Sequence, residues 1–197
     1  MGKVFCIVGK SSSGKDTIYK KLLSNATLQL KRIVLYTTRP IRAGEQEGVE
    51  YYFTEEKEMQ RLQNDNKIIE CRSYNTIYGI WYYFMVKDNQ IDLAQFNYLI
   101  IGTLESYIKI RDYFGQDKVV PIYIDLDDGE RLMRALRRER KQYEPKYEEM
   151  CRRFLADAKD FSIHNLEQAG IIKRFCNDNL NVCLSNIEAY ILSFQEM

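Results

Sequence analysis

The feature that most constrains this chain is a glycine-framed segment near its start. Residues 9–17 read Gly-Lys-Ser-Ser-Ser-Gly-Lys-Asp-Thr and lie between an apolar run, 4–8, and an amphipathic segment, 18–23. In the pattern G-x-x-x-x-G-K, glycines let the backbone curl around a polyphosphate, the following helix aims N–H groups at it, and the lysine reaches its outer phosphates. We therefore predict a P-loop that binds ATP through Gly9, Ser11, Ser12, Ser13, Gly14, Lys15, Asp16 and Thr17.

One position departs from this pattern. A Ser or Thr hydroxyl normally follows the lysine and touches Mg²⁺. Here Asp16 occupies that position, and Thr17 supplies a hydroxyl one residue later. We expect Mg²⁺ to accompany ATP, with Asp16 and Thr17 as the candidate metal-site residues, directly or through water.

The composition argues against several other classes of function. The 197 residues carry a formal net charge of +1, so no strongly basic balance attracts nucleic acid or an anionic membrane. The single histidine, His164, leaves no histidine cluster for zinc and no Ser-His-Asp triad. The five cysteines form no C-x-x-C pair, and the sequence shows no signal segment or long apolar run. We expect a cytoplasmic protein with small-molecule partners, and its oligomeric state stays open.

Short apolar runs alternate with helical patterns along the chain. This alternation is typical of an α/β fold in which helices cover a parallel sheet. The predicted strands are 3–8, 32–36, 97–102, 118–124 and 172–176. The predicted helices are 15–24, 104–114, 127–143, 145–160 and 182–195.

Between residues 37 and 96 the pattern changes to short tyrosine-rich runs separated by glycines and polar turns. Such runs predict a small β-rich insertion. We expect the P-loop core to comprise 1–36, 97–126 and 160–197, with the insertion at 37–96 and an arginine-rich lid region at 127–159.

The start of this insertion holds a second group of candidate phosphate ligands. Arg39 and Arg42 are three residues apart, and a guanidinium carries five N–H donors in a plane that can bind phosphate bidentately. Tyr51 lies in the apolar run that follows. Singly, these residues could be solvated loop charges and a core aromatic. Together, beside a P-loop, they indicate a second phosphate site.

The same stretch resembles the nucleoside monophosphate-binding region of guanylate kinases, which reads T-T-R-x-P-R-x-G-E-x-x-G-x-D-Y-x-F. Pro40 stands one place early and Glu50 replaces the aspartate. Short segments at 69–70, 78–79 and 177–178 resemble further parts of the family, so the resemblance spans nearly the whole chain. The matching residues in the first stretch are Thr37, Thr38, Arg39, Arg42, Gly44, Glu45, Gly48, Tyr51 and Phe53.

The resemblance implies an acceptor site for GMP inside the insertion. Two arginines and two tyrosines would hold the acceptor phosphate, Glu70 would accept from the guanine edge, and Asn177 would lie close to the base of ATP. The acceptor-binding residues implied in this way are Arg39, Arg42, Glu45, Tyr51, Glu70 and Tyr78.

Residues 130–153 form the one concentrated basic segment, with nine basic and five acidic residues. On a helix we expect Arg131, Arg134 and Arg138 to share one face, with the apolar Leu132, Ala135 and Leu136 on the opposite face. An ordinary solvated face stays an alternative for Arg131, Arg137 and Arg140. The family resemblance implies that Arg134, Arg138 and Arg153 act with Lys15 as the catalytic residues that clamp the transferring phosphoryl group.

The chain departs from the family at positions near the expected base. Leu35 and Ile80 stand where the family tends to place hydroxyls, and Ile101-Gly102-Thr103 replaces a D-x-D pair. An isoleucine cannot accept from the N–H donors of guanine. These departures make guanine selectivity a weaker inference than phosphate binding.

The sequence therefore predicts a guanylate kinase-like enzyme that transfers a phosphoryl group from ATP to GMP or dGMP. Two alternatives stay open. One is a kinase of another phosphorylated small molecule, such as ribose 1,5-bisphosphate. The other is a non-catalytic guanylate-kinase-like module that binds a phosphopeptide, although such modules generally lose the P-loop glycines and lysine that this chain retains.

Overall fold

The computed structural model describes residues 1–76 and 78–195. Its strands are β1 Val4–Val8, β2 Leu30–Arg32, β3 Leu35–Thr37, β4 Tyr51–Phe53, β5 Ile68–Thr76, β6 Gly79–Val86, β7 Asn97–Ile101, β8 Val119–Asp125 and β9 Arg174–Cys176. Its α-helices are α1 Lys15–Ser24, α2 Glu56–Asn64, α3 Leu104–Phe114, α4 Asp128–Glu139, α5 Tyr147–Asp160, α6 Ile163–Gln168 and α7 Leu180–Leu192.

The core is a five-stranded parallel sheet in the order β2-β7-β1-β8-β9. The central strand β1 is wholly buried because helices cover both faces of the sheet. Side chains from α3 and α6 pack on one face, and side chains from α1 and α7 pack on the other. The α/β fold expected from the sequence is confirmed. Since the strands are parallel, the segments that follow β1, β7, β8 and β9 meet at one edge of the sheet.

A second sheet, ordered β4-β3-β6-β5, lies within the tyrosine-rich region, together with α2. The predicted strand 32–36 is wrong as a single strand, because β2 joins the core sheet and β3 joins the second sheet. The chain leaves one sheet for the other at Val34. Its N–H donates to Gln90 Oε1 at 3.0 Å and its carbonyl accepts from Gln90 Nε2 at 3.2 Å. A side chain therefore satisfies the backbone groups that a continuous strand would pair.

The helices α1 and α3 have the predicted bounds, α4 and α5 are shorter than predicted, and α7 begins two residues earlier and ends three residues earlier. The helices α2 and α6 were not predicted. One face of α4 was predicted wrongly. Arg131, Ala135 and Glu139 form its buried face, whereas Leu132 and Met133 are exposed. Ala135, expected on the opposite face, thus lies beside Arg131. Of the three arginines only Arg131 is buried, where it pairs with Asp128 and Asp157, whereas Arg138 is exposed. No helix of the described residues is long and apolar enough to cross a membrane.

The N-terminus of α3 is fixed by a capping box. The Thr103 hydroxyl oxygen accepts from the Ser106 N–H at 3.2 Å, and the Thr103 N–H donates to Ser106 Oγ at 2.9 Å. Reciprocal bonds of this kind satisfy N–H groups that the first turn of a helix leaves unpaired. Thr103 thus has a structural role at the sheet edge.

We expect Thr103→Ala to lower the free energy of unfolding by about 1 kcal/mol, because the cap acceptor is lost. Chemical denaturation would measure this loss. Thr27→Ala is the matched control, since Thr27 is exposed in a short 3₁₀ turn and is not its cap residue. Equal losses in the two variants would contradict a special role for the cap.

Candidate active site

The P-loop occupies the turn between β1 and α1. Gly14 is the N-cap of α1 with φ 95°, and Ser12 also has a positive φ of 62°. A β-carbon at Gly14 would lie 2.3 Å from Asn177 Nδ2, so both the backbone angle and the neighbouring side chain require glycine there. The sequence motif therefore forms the strand, loop and helix that a phosphate-binding loop needs.

Lys15 lies against the P-loop backbone. Its Nζ donates to the Lys10 carbonyl oxygen at 2.9 Å. Burial lowers the pKa of the Lys15 ammonium, and the nearby carboxylates of Asp16 and Asp157 oppose that shift. The lysine is thus a partly desolvated donor whose present acceptor is a backbone carbonyl that phosphate oxygens can replace.

Asn177 connects the end of β9 to the P-loop. The side chain is buried, its Nδ2 donates to the Ser13 carbonyl oxygen at 2.7 Å, and its backbone carbonyl accepts from Arg134 Nη2 at 3.1 Å. The contact to Ser13 holds the loop backbone from behind. Asn177, predicted as an ATP ligand, here contacts the loop itself.

Arg131 and Asp157 hold the outer part of the loop. Arg131 is 1% exposed, its Nε donates to the Ser11 carbonyl oxygen at 3.0 Å, and its guanidinium also pairs with Asp128 and with Asp157. Asp157 Oδ2 accepts from the Ser11 N–H at 2.7 Å. Both backbone groups of Ser11 are therefore bound by an ion pair between α4 and α5.

Sequence reasoning did not identify this ion pair. Arg131 was read as part of a charged face that could be solvated, and Asp157 was not singled out. The spacing of Asp128 and Arg131 on one helix was the available local signal. Nothing in the sequence shows that Asp157 lies beside Ser11.

The predicted clamp arginines lie in different surroundings. Arg134 contacts Asn177, as described above, whereas Arg138 and Arg153 are exposed, with side chains that are 55% and 58% accessible. Arg153 Nε donates to Glu149 Oε1 at 2.7 Å, and Arg152 pairs with the same carboxylate. The hydrogen bonds from these arginines lower the pKa of Glu149 to about 2, and Arg152 makes the larger contribution. Arg138 lies close enough to Lys15 to contribute to the lowered pKa of that lysine.

In the second sheet the buried Arg39 is paired bidentately with Glu45. Nη1 donates to Oε2 at 3.0 Å and Nη2 donates to Oε1 at 2.8 Å. The same carboxylate accepts from the Arg42 N–H at 2.8 Å, while the side chain of Arg42 is exposed. The hydrogen bonds from the Arg39 guanidinium are the main reason that the pKa of Glu45 lies below its usual range. Glu45 thus positions the loop that carries both arginines.

Aromatic rings surround Arg39. Its guanidinium lies 5.6 Å from the ring centroids of both Tyr51 and Phe53, and Tyr83 lies 5.5 Å from Tyr51. Tyr83 was not predicted, because its place in this group depends on its pairing with Thr37 across β3 and β6. Tyr78 is 78% exposed, and its ring stacks on Trp81. The structure brings Arg39, Glu45 and Tyr51 together but leaves the Tyr78 ring outside this group.

Glu70 lies in β5 and is almost completely buried. Its Oε1 accepts from Arg72 Nη2 at 3.2 Å, and burial raises the pKa of the Glu70 carboxyl while Arg72 opposes that rise. Leu35 is also buried, and Ile80 is half exposed on β6. Arg72, a partner of Glu70 that sequence reasoning did not single out, is the charged neighbour of the predicted base-reading residue.

A cleft of about 850 Å³ lies between the P-loop and β5, and its lining does not include Arg39, Tyr51 or Glu70. Its walls come from the P-loop, from β5, from the N-terminus of α3 and from the segment that links α5 to α6. The lining includes Gly9, Ser11, Lys15, Arg72, Thr103 and Asp157. The P-loop and the strand that carries Glu70 therefore face a common space.

We expect Gly14→Ala to destabilise the fold more than Gly44→Ala. Both glycines have left-handed backbone angles, φ 95° and φ 84°, but a β-carbon at Gly44 meets nothing within 4 Å. The control therefore isolates the backbone cost of about 1 kcal/mol, and the collision with Asn177 adds to it at Gly14. Urea denaturation of both variants measures the difference. Equal losses would mean that Asn177 moves aside freely.

Comparison with known proteins identifies the family of this chain. The family model for guanylate kinase matches residues 1–191. A guanylate kinase from Porphyromonas gingivalis is 28% identical over 196 residues, which cover 98% of each chain, and one from Mycoplasma mobile is 33% identical over 62% of each. The crystal structure of guanylate kinase from Anaplasma phagocytophilum aligns with a TM-score of 0.65 at 23% identity, covering 100% of this chain and 87% of that one. The chain therefore belongs to the guanylate kinase family of ATP-dependent nucleoside monophosphate kinases.

Proposed function

We propose that this protein transfers the terminal phosphoryl group of ATP to GMP or dGMP. The observation that carries the proposal is the common cleft, because Lys15 of the P-loop and β5 of the second sheet line the same space. A cleft that has the P-loop on one wall and the strand of the proposed base-reading residue on another can hold a donor and an acceptor nucleotide together. Positioning of this kind is the main contribution that a protein makes to phosphoryl transfer.

The P-loop is the donor end of this cleft. N–H groups at the start of α1 and the Lys15 ammonium would bind the outer phosphates of ATP, and Asn177 would keep the loop in its curled form. Apart from Asn177, the predicted ATP ligands all lie in this loop or in the first turn of α1.

Mg²⁺ fits this end of the cleft as an ion with few protein ligands. Asp16 and Thr17 are exposed in the first turn of α1 and offer oxygen ligands, the type that Mg²⁺ prefers. The described residues contain no group of three or more His, Cys, Asp or Glu placed to hold a metal. Phosphate oxygens and water would therefore supply most of its ligands, and the ion would neutralise charge on the phosphates.

The acceptor end is formed by Arg39, Arg42 and Tyr51. The exposed Arg42 is free to reach an incoming phosphate, and Arg39 lies behind it with its fork on Glu45. Tyr78, on the β5–β6 hairpin, would have to turn toward this group to take part. Glu70 would accept from the base.

The chemistry needs no general base. The attacking oxygen belongs to a phosphate that is already anionic, and the chain's single histidine, His164, is exposed on α6. Charge that develops during transfer would be stabilised by Lys15 together with Arg134, Arg138 and Arg153. Arg153 must leave Glu149 to do so, which makes α4 and α5 the region that moves when both ligands are bound.

The proposal includes nucleotides rather than nucleic acid as ligands, because glutamates such as Glu149 pair with the basic residues of α5. It also includes a cytoplasmic location, which the five unpaired thiols support.

We predict that Lys15→Ala lowers turnover of ATP with GMP at least a hundredfold, which corresponds to about 3 kcal/mol of transition-state stabilisation. A coupled assay of ADP release would measure it, with circular dichroism to check the fold. Lys20→Ala is the matched control, because it removes an exposed lysine from the same helix. Near-normal turnover of the Lys15 variant would remove the kinase assignment.

We predict that Arg42→Lys weakens GMP binding about tenfold and leaves ATP binding unchanged, because a point charge does not reproduce a bidentate fork. Isothermal titration calorimetry with each nucleotide measures both effects. Arg61→Lys, an exposed change on α2, serves as the control. An equal loss of affinity for both nucleotides would show that the acceptor site has been placed wrongly.

A further inference from the structure

A buried ion pair on β5 has unused hydrogen-bonding capacity. Glu70 and Arg72 are two residues apart and therefore point to the same face of the strand. They share one bond, from Nη2 to Oε1 at 3.2 Å. Glu70 Oε2 and Arg72 Nε are both buried and have no partner among the described residues. Buried polar atoms without partners are costly, so this pair is suited to a ligand that supplies them.

The pair lies at the common cleft. Arg72 is part of the wall of that cleft, and Gly102 and Thr103 lie in the same wall. Glu70 is behind Arg72, with its side chain fully inaccessible and the charges of Lys109 and Glu105 near it. The unpartnered carboxylate oxygen and the unpartnered guanidinium N–H therefore belong to two side chains in direct contact, one of which accepts and the other donates.

Guanine is the base that complements this arrangement. Its edge presents two donors, N1–H and the 2-amino group, followed by one acceptor, O6. The Glu70 carboxylate accepts only, whereas Arg72 donates only. Adenine instead presents one donor followed by the lone pair of N1, which would face a carboxylate oxygen.

The other charged donor near Glu70 is engaged elsewhere, because Lys109 Nζ donates to Glu105 Oε1 at 2.6 Å and to the Cys71 carbonyl oxygen at 3.3 Å. Leu35 is apolar and buried, and Ile80 is apolar. The Thr103 hydroxyl donates to Ser106 Oγ at 3.4 Å and accepts from the Ser106 N–H in the capping box of α3. Arg72 is thus the cleft-lining donor next to Glu70.

We propose that Arg72 determines base specificity by donating to O6 of the acceptor base, while Glu70 accepts from N1–H. This assignment rests on the proposed function, since it takes GMP as the acceptor. It explains how guanine is read although Leu35 and Ile80 carry no hydroxyl.

Binding of GMP, IMP and AMP in the absence of ATP tests the assignment. IMP keeps O6 and N1–H but lacks the 2-amino group, so it isolates the contacts assigned to Arg72 and Glu70. We expect Arg72→Met to weaken GMP and IMP by the same factor, at least tenfold, and AMP by less than threefold. Arg111→Met is the matched control, because it removes an arginine from another wall of the same cleft. It should not change the ratio of GMP to AMP affinity.

Arg72→Met leaves Glu70 buried beside a neutral side chain, so a second variant protects the test against misfolding. Arg72→Lys retains a positive charge and lacks the Nε–H, and thermal melting would verify that it folds. We expect it to weaken GMP and IMP equally, by at least threefold, without changing AMP.

Several results would overturn the assignment. Equal loss of all three nucleotides would place Arg72 at the phosphate, and unchanged GMP affinity would make it structural. Loss of GMP with unchanged IMP would show that Arg72 does not contact O6. Turnover measured beside binding separates this proposal from the proposed function. Wild-type protein that binds GMP without phosphorylating it would refute the kinase activity, while the affinity ratios would still decide the role of Arg72. Failure to bind any of the three would refute both.

Discussion

The hydrogen bond from Asn177 to the Ser13 carbonyl is the contact on which the active site depends. A P-loop directs its N–H groups toward the ligand, so its carbonyls must be satisfied from behind. Asn177 does this for Ser13 at 2.7 Å, and Arg131 does it for Ser11 at 3.0 Å. Both side chains are buried, and Gly14 must lack a β-carbon for Asn177 to fit. The loop is consequently held in shape before any phosphate binds.

Local features of the sequence predicted much of this fold. Contacts between residues that are far apart in the chain could not be predicted in this way. The P-loop could be recognised because strand, loop and helix are adjacent in the chain, and most helices were found from their periodicity. The segment 32–36 was predicted as one strand, whereas the structure has two. The break between them depends on Gln90, which is far along the chain. The burial of Arg131 was not predicted, because one of its two carboxylate partners, Asp157, lies on another helix.

The candidate site shows the same division. Arg39, Glu45 and Tyr51 come together within one short stretch, so their spacing was informative. Tyr83 and Arg72 reach the site through cross-strand pairing, and no nearby motif marks them. Guanine selectivity was a weak inference from the sequence, because the side chains of Leu35 and Ile80 carry no polar group. The proposed compensation by Arg72 depends on where this residue lies, and the register of β5 and β6 sets that position.

Carboxylates occupy the groups that the proposed reaction assigns to phosphate. Glu45 binds the fork of Arg39, Asp157 accepts from the Ser11 N–H, and Glu149 binds Arg153. Each pairing satisfies a donor that would otherwise be buried or crowded by like charge. At these three positions a bound phosphate must exchange with a carboxylate, whereas at Lys15 it replaces the Lys10 carbonyl oxygen. Such an exchange favours a ligand with more charge and more acceptor oxygens than one carboxylate, which is a property of nucleotide phosphates.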